Sequence, residues 1–198
     1  MTISELRLQV ASCKKCSIHS NGKPVLGDGA GKLLVIGEAL GGDEIKLQKP
    51  FVGKAGQLLM EVFESAGLNR GVDYFITNIV KCRPVSTSQY GNPINRTPTP
   101  QEIQACLPYL DQTVDILKPE FILCVGAIAS KVIISSTFSI TSQRGEVVTS
   151  KRYKVPSMAV LHPAYILRQH EDFDRLKLQL KVDVFNVLNN MPKVEVQD

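Results

Sequence analysis

Four short apolar runs, separated by segments with helical periodicity, constrain the fold more than any other feature of this sequence. Each run is rich in branched or aromatic side chains and is bounded by turn residues, which is typical of buried parallel strands. The runs cover residues 32–37, 74–80, 121–125 and 157–161. Strands that alternate with helices favour a sheet between two helical layers. The sequence therefore predicts an α/β three-layer sandwich with a central, mostly parallel four-stranded sheet.

Apolar stripes and capping residues mark the helices between these runs. Thr99, Pro100 and Glu102 are a cap, a first-turn proline and a capping acid. Helices are predicted at the N-terminus and over residues 55–68, 99–118, 127–134 and 173–189. The remaining segments are a predicted hairpin over residues 142–155 and a long loop without periodicity over residues 85–97.

Length and composition narrow the class of protein. A chain of 198 residues predicts a single domain over residues 1–198. No apolar run approaches the roughly 20 residues needed to cross a bilayer, and the N-terminus is typical of a capped helix, not a signal peptide. Five cysteines, an odd number, argue against a disulfide framework and for an intracellular, cytoplasmic protein. A net charge of +4 permits an anionic partner without requiring one. We expect a monomer with no membrane contact.

Polar residues and glycines follow the predicted strands. Glu38, Asn78 and His162 each stand at a strand end, where ligands bind in open α/β sheets. The segment 37–59 that follows the first strand holds five glycines, three acids and three lysines. It matches neither the P-loop spacing nor the dinucleotide fingerprint, and its acids would repel phosphates. A nucleotide-binding enzyme is therefore a weaker hypothesis than a site that binds another ligand at this edge.

The cysteines allow two interpretations. Cys13 and Cys16 form a CxxC pair after a helix, and Cys82 and Cys106 lie far downstream. Four thiolates can hold a metal or a cluster, but unpaired buried cysteines also serve as small hydrophobic residues. From spacing alone, the two interpretations are equally favoured. Cys124 lies inside a predicted strand and is expected in the core.

Five motifs together resemble the family 4 uracil-DNA glycosylases, the iron–sulfur branch of their superfamily. The motifs are GEALGGDE, PFVGKAGQLL, ITNIVKCRP, NRTPTPQEIQAC and LHPAYILR, and the similarity extends from residue 13 to residue 168. The resemblance implies a three-layer α/β fold, a [4Fe–4S] cluster and excision of uracil from single- or double-stranded DNA in base excision repair. It also identifies the cluster ligands as Cys13, Cys16, Cys82 and Cys106.

The resemblance assigns residues to the base pocket. Asn78 is expected to read uracil, because one amide can match both the N3–H donor and the O4 acceptor. Cytosine reverses that pattern and would leave buried polar groups unpaired. Phe51 is expected to stack on the extracted base, and Ala39 is assigned to the same pocket.

The resemblance also assigns the chemistry and the DNA contacts. His162 is expected to donate a hydrogen bond to uracil O2 as negative charge develops on the leaving base. Glu38 and Glu44 are candidates for the carboxylate near the sugar. Glu38 ranks first because it lies at a strand end, and Glu44 could instead be a solvated loop acid. The residues assigned to DNA binding are Gly53, Lys54 and Arg168.

Two departures from the family pattern leave a second function open. Leu40 stands where a proline is expected, which predicts a looser pocket wall, and the segment between Cys82 and Cys106 is longer than usual. A related branch that is trapped covalently on uracil-DNA has an arginine-rich loop ending in histidine there. Residues 95–98 of this chain lack both features, which favours turnover. A uracil-DNA-binding protein with weak or lost catalysis is the alternative.

Overall fold

The computed structural model of the protein describes residues 1–191, and its centre is a six-stranded sheet with the order β1-β3-β2-β6-β8-β7. The strands are β1 (Gly27–Gly29), β2 (Leu33–Gly37), β3 (Tyr74–Asn78), β4 (Val85–Thr87), β5 (Pro93–Asn95), β6 (Phe121–Val125), β7 (Val148–Thr149) and β8 (Pro156–Val160). The helices are α1 (Ile3–Ala11), α2 (Gly42–Leu47), α3 (Lys54–Ser65), α4 (Pro100–Leu117), α5 (Ala127–Ile133), α6 (Ile140–Gln143), α7 (Pro163–Ile166) and α8 (Phe173–Asn190).

The four apolar runs form the parallel centre of the sheet, as predicted. β2 pairs in parallel with β3 and β6, and β6 pairs in parallel with β8. The count of four strands was incomplete, because β1 and β7 add antiparallel edges to β3 and β8. These edges have only three and two residues, so neither produces an apolar run that the sequence could reveal.

Helices cover both faces of the sheet, which confirms the three-layer prediction. Successive side chains of a strand point to opposite faces. Leu34 and Ile36 of β2 pack in the cluster that includes residues of α1, α4 and α5. Leu33 and Val35 pack in the cluster that includes residues of α3, α7 and α8. Both faces of the sheet are therefore buried, as its continuous apolar strands require.

The predicted helices are present, with ends that shift by a few residues. α4 begins at the predicted capping box, where the Glu102 amide donates to Thr99 Oγ1 at 3.2 Å and the Thr99 amide donates to Glu102 Oε2 at 2.8 Å. Thr2 and Glu5 form the same motif at the start of α1. Within residues 1–191, no helix is both long and apolar enough to cross a membrane.

Two segments differ from the predictions. Residues 85–97 are not a structureless loop, because β4 and β5 pair as an antiparallel hairpin. The segment 142–155 holds the end of α6 and then β7, which pairs with the last strand β8. The hairpin predicted there is therefore formed by β7 and β8. The single domain over residues 1–198 stays a prediction, since residues 192–198 lie outside the described part of the chain.

Candidate active site

A cleft of about 750 Å³ opens at the carboxyl ends of the parallel strands. It brings together every base-pocket, catalytic and DNA-contact residue that the sequence predicted. These are Glu38, Ala39, Glu44, Phe51, Gly53, Lys54, Asn78, His162 and Arg168. The convergence follows from topology, because parallel strands end at the same edge of the sheet.

An amide and an aromatic ring meet over a glycine at the bottom of the cleft. Gly37, the last residue of β2, pairs with Asn78 at the end of β3. A Cβ atom at Gly37 would lie 2.4 Å from Asn78 Oδ1 and 2.4 Å from Phe51 Cζ. Only glycine leaves room for both side chains, so the two groups that would contact a planar base depend on this residue. Asn78 and Phe51 are 3% and 6% exposed.

The backbone of Phe51 is held in the left-handed region, with φ of 54°. That conformation costs a residue with a Cβ atom about 1–2 kcal/mol. The guanidinium of Arg70 donates to Pro50 O at 2.6 Å and to Phe51 O at 3.3 Å, which stabilises the bend. A Cβ atom at Gly56 would lie 2.2 Å from the carbonyl carbon of Phe51, so α3 can approach the bend only through a glycine.

The Glu44 carboxylate binds three backbone N–H groups of the cleft wall. Its Oε1 accepts from Val52 N at 3.1 Å and from Gly53 N at 2.9 Å. Its Oε2 accepts from Gly41 N at 3.1 Å. Glu44 is therefore not the solvated loop acid that the sequence left open. The contacts tie the start of α2 to the segment that carries Phe51.

Leu40 does not loosen the cleft wall, contrary to the prediction from the sequence. Its side chain is 3% exposed, and its amide donates to Cys82 O at 3.2 Å. A proline at this position would lack that N–H group. The leucine therefore adds a hydrogen bond between the pocket loop and the segment after β3.

His162 is held as a neutral ring with a defined tautomer. Its Nδ1 accepts a hydrogen bond from Ala164 N at 3.1 Å, which leaves the ring proton on Nε2. Burial, with a smaller contribution from the nearby charge of Arg168, lowers the pKa of His162 to about 4. A Cβ atom at Gly126 would lie 2.9 Å from His162 Cβ, so this glycine allows the ring to approach β6.

Glu38 follows β2 directly and lies in the same cleft. Its backbone carbonyl accepts from Val80 N at 3.0 Å, which fixes the position of the residue against the end of β3. Burial raises the pKa of the Glu38 carboxyl, and the nearby Thr97 side chain partly offsets this effect. The oxygens of the Glu44 carboxylate accept hydrogen bonds from backbone N–H groups. Within residues 1–191, the Glu38 carboxylate accepts none from the backbone, so its oxygens are available to a ligand.

The hairpin of β4 and β5 supplies cleft residues that the sequence analysis missed. Asn95, Arg96 and Thr97 line the cleft opposite the strand ends. Arg96 forms a bidentate pair with Glu102 at 2.6 and 2.8 Å, which joins the hairpin to the first turn of α4. The signal that could have found them was the position of residues 95–97 at the start of the motif NRTPTPQEIQAC.

The four cysteines of the sequence pattern line a second, small cavity between α1 and α4. Its lining includes Cys13, Cys16, Cys82 and Cys106. Cys106 Sγ accepts a hydrogen bond from Lys81 N at 3.2 Å. Burial, together with the neighbouring thiols, raises the pKa of Cys82 to about 12. Within residues 1–191, no three His, Cys, Asp or Glu side chains are placed to hold a single metal ion. Cys124 is buried in β6, as predicted.

Lys81 lies between the cysteine cavity and the base end of the cleft. The residue is 1% exposed. Its ammonium donates to Thr77 Oγ1 at 3.0 Å and to the carbonyl oxygen of Asn78. No carboxylate of residues 1–191 lies within 4.0 Å of the Lys81 ammonium. The ammonium therefore joins two neutral oxygen atoms at the end of β3.

Comparison with known proteins gives a family match and several close similarities. The family described as "Uracil DNA glycosylase superfamily" matches residues 24–189. The type-4 uracil-DNA glycosylase of Pyrobaculum aerophilum is 40% identical over 179 residues, which covers 85% of this chain and 86% of that protein. The enzyme of the same name from Archaeoglobus fulgidus is 35% identical over 175 residues, covering 84% and 83%. A crystal structure of Pedobacter heparinus SMUG2 has a TM-score of 0.50 at 14% identity, covering 81% and 77%, and supports the fold alone.

We predict that Glu44→Ala loosens the cleft wall, because three backbone N–H groups lose their shared acceptor. The free energy of unfolding should fall by about 1–3 kcal/mol. Amide hydrogen exchange at Gly41, Val52 and Gly53 should become faster than in the parent. Asp43→Ala, at an exposed position on the same helix, is the control and should leave both quantities near the parent values. Equal exchange rates in the two variants would contradict the assigned role of Glu44.

Proposed function

The chain belongs to the uracil DNA glycosylase superfamily, and on that premise we propose which of its residues carry out the reaction. The protein is a uracil-DNA glycosylase that excises uracil from DNA by hydrolysing the N-glycosidic bond, which starts base excision repair. The observation that carries the assignment of residues is the convergence of Asn78, Phe51, His162 and Glu38 in one cleft. A base inside a DNA stack cannot reach such a cleft, so the target nucleotide has to be flipped out.

Asn78 reads the base. Its amide offers one acceptor for N3–H and a donor for O4 of uracil. The side chain is nearly buried, so a base with the opposite pattern leaves donors or acceptors unpaired in a place that water cannot reach. Such mismatches discriminate far more strongly than a missing methyl group.

Phe51 stacks on the extracted base, and Ala39 completes the wall of the pocket. The ring lies beside the Asn78 amide over Gly37, so one planar base can contact both groups. Stacking of this kind contributes roughly 1–3 kcal/mol per base. The backbone bend at Phe51 is fixed by Arg70 before the base arrives, which reduces the ordering cost of binding.

His162 stabilises the leaving base. Nδ1 is occupied by the Ala164 amide, so Nε2–H is the group free to donate to uracil O2. As the bond to the sugar breaks, negative charge develops on the base and this hydrogen bond strengthens. A neutral ring is sufficient for the step, because the donor is aimed at charge that appears only in the transition state.

Glu38 provides the carboxylate near the sugar. An ionised carboxylate there stabilises the positive charge that develops on the sugar and orients the attacking water. We assign Glu44 a positioning role in this reaction, because both of its oxygens already accept backbone hydrogen bonds. It acts through the segment that carries Phe51.

Gly53, Lys54 and Arg168 bind DNA at the edge of the cleft. Gly53 and Lys54 are at the start of α3, and Lys54 is exposed. Two cationic side chains beside the cleft are suited to the phosphates on either side of a flipped nucleotide. We propose that the protein acts as a monomer on single- or double-stranded DNA. We also propose an intracellular, cytoplasmic location, since that is where its DNA substrate would be met.

The cysteine cavity fits a [4Fe–4S] cluster held by Cys13, Cys16, Cys82 and Cys106. The donor set is four thiols around one cavity, and a four-iron cluster separates its ligands more widely than a single ion does. Within residues 1–191 no carboxylate pairs with the ammonium of Lys81, and cluster thiolates would supply negative charge near it. Bound there, the cluster would cross-link the segment after α1, helix α4 and the segment after β3.

We predict that Asn78→Asp lowers the rate of uracil excision by about 10⁴-fold, because it removes the donor to O4 and adds a charge that faces it. Single-turnover excision from a uracil-containing oligonucleotide, with alkali cleavage of the abasic product, measures the rate. Asn189→Asp, at an exposed position on α8, is the matched control and should keep the parent rate. Full activity in Asn78→Asp would disprove the assignment of the base pocket, and absence of excision by the parent would disprove the proposed reaction.

We predict a single acid limb in the pH profile of the single-turnover rate. Burial raises the pKa of Glu38, and the active form carries this group ionised, so the rate falls as pH drops through a value above the ordinary carboxyl range. The pKa of His162 is lowered to about 4, so its neutral form persists through the neutral range and adds no limb there. Glu38→Gln should be slow and lack the limb. Persistence of the limb in Glu38→Gln would assign it to another group.

We predict that the purified protein absorbs visible light and contains about four irons per chain. Cys82→Ala should lose iron and colour and unfold at a lower temperature, because one of four ligands is removed. Cys124→Ala is the matched control, since it also removes a buried thiol, and should keep both iron and colour. Stoichiometric zinc without visible absorbance would contradict the cluster.

A further inference from the structure

The hairpin of β4 and β5 borders the cleft and carries an exposed aromatic side chain, Tyr90. We propose that this rim hairpin (residues 85–95) binds the DNA strand beside the extracted nucleotide, with Tyr90 stacking on an unpaired base. The proposal rests on the function assigned above and adds a second contact with the same substrate. Three features of the hairpin support it: its attachment, its surface and its reach.

The rim hairpin is attached to the wall of the cleft at its base. Arg83 Nε donates to Asn95 Oδ1 at 2.7 Å, which joins the two ends of the hairpin. The guanidinium of Arg83 also lies against Gly42, at the start of α2. On the other side, Arg96 is held by Glu102 of α4. A strand bound by the rim hairpin would therefore have a fixed position relative to the cleft.

The tip of the rim hairpin is ordered by its own hydrogen bonds. The Ser88 amide donates to Asn92 O at 2.8 Å, and the Gly91 amide donates to Ser88 O at 3.0 Å. The Ser88 hydroxyl accepts from Asn92 N at 3.0 Å and from Tyr90 N at 3.3 Å. These contacts hold the backbone of Tyr90, so the ring is presented from a defined turn.

The surface of the rim hairpin has the chemistry of a platform for single-stranded DNA. Tyr90 is 81% exposed and Ile94 is 49% exposed. Residues 85–95 contain no charged side chain, Arg83 lies at the base of the hairpin, and Arg96 is already paired with Glu102. Proteins that bind single strands combine exposed aromatic rings, on which bases stack, with a positively charged groove. Here the ring is on the rim hairpin, and Lys54 and Arg168 line the neighbouring cleft. The absence of acids and the continuity with the cleft favour a DNA strand over a protein partner.

The reach of the rim hairpin fits a short flanking strand. Asn95 at the cleft is the fifth residue after Tyr90, and five steps of about 3.4 Å span up to about 17 Å. A stacked strand rises about 3.4 Å per nucleotide, so Tyr90 would meet a base within about five nucleotides of the uracil. The contact should therefore depend on one flanking arm of the substrate.

The test compares Tyr90→Ala, Tyr90→Phe and Phe185→Ala on single-stranded oligonucleotides with one central uracil. Phe185 is a control because it is an exposed aromatic residue on α8, which does not line the cleft. Tyr90→Ala should raise the half-saturating DNA concentration by about 5- to 150-fold and leave the saturating single-turnover rate unchanged. Tyr90→Phe, which keeps the ring, and Phe185→Ala should match the parent.

Shortening one arm of the oligonucleotide below about five nucleotides should weaken the parent to the level of Tyr90→Ala, and shortening the other arm should preserve the difference. Equal half-saturation of Tyr90→Ala and the parent at full length would overturn the proposal, as would a lower saturating rate without a change in half-saturation. A parent that excises no uracil would overturn the assigned function instead. The two failures are therefore distinguishable.

Discussion

The base pocket depends on one interaction, the binding of three backbone N–H groups by the Glu44 carboxylate. Gly41 and Gly53 must come close to this carboxylate, and a Cβ atom at either position would lie 2.5 or 3.1 Å from its oxygens. Two of the five glycines of the segment, Gly41 and Gly53, are thus explained by this one contact. The glycines let the backbone reach the carboxylate, and the carboxylate replaces water as its acceptor. The left-handed bend at Phe51 is then held between this contact and Arg70.

The sequence predicted the helices and strands that are specified by their own residues. The four parallel strands are mostly apolar and almost fully buried, and Thr99 and Glu102 specify the start of α4 without help from distant residues. The edge strand β1 has the sequence Gly-Asp-Gly and owes its conformation to pairing with β3. The same holds for β4 and β5, where Ser86 pairs with Ile94. Strands of two or three residues are stabilised by a partner and leave little signal of their own.

The residues of the candidate site also divide into those whose position the sequence predicted and those whose role it did not reveal. The rule that ligands bind at strand ends placed Glu38, Asn78 and His162 in one cleft, because topology fixes where parallel strands end. The role of Glu44 was not predictable, since it depends on how the chain returns nine residues later at Gly53. The contribution of Arg96 was missed for a related reason. It follows from a hairpin whose position is set by a pair with Glu102, and a sequence pattern does not encode such contacts.

The cysteine cavity and the base pocket are connected through five consecutive residues. Asn78 is the residue proposed to read the base, Lys81 binds the carbonyl of Asn78 through its ammonium, and Cys82 lines the cavity. The amide of Lys81 also donates to Cys106 Sγ, so α4 is tied to the same segment. A buried ammonium among neutral oxygens is unfavourable unless negative charge lies nearby. Four thiolates on the far side of Lys81 would meet that requirement, and the same contacts would then orient the strand end that carries Asn78. The cavity is in this sense part of the support of the pocket, although it lies outside the cleft.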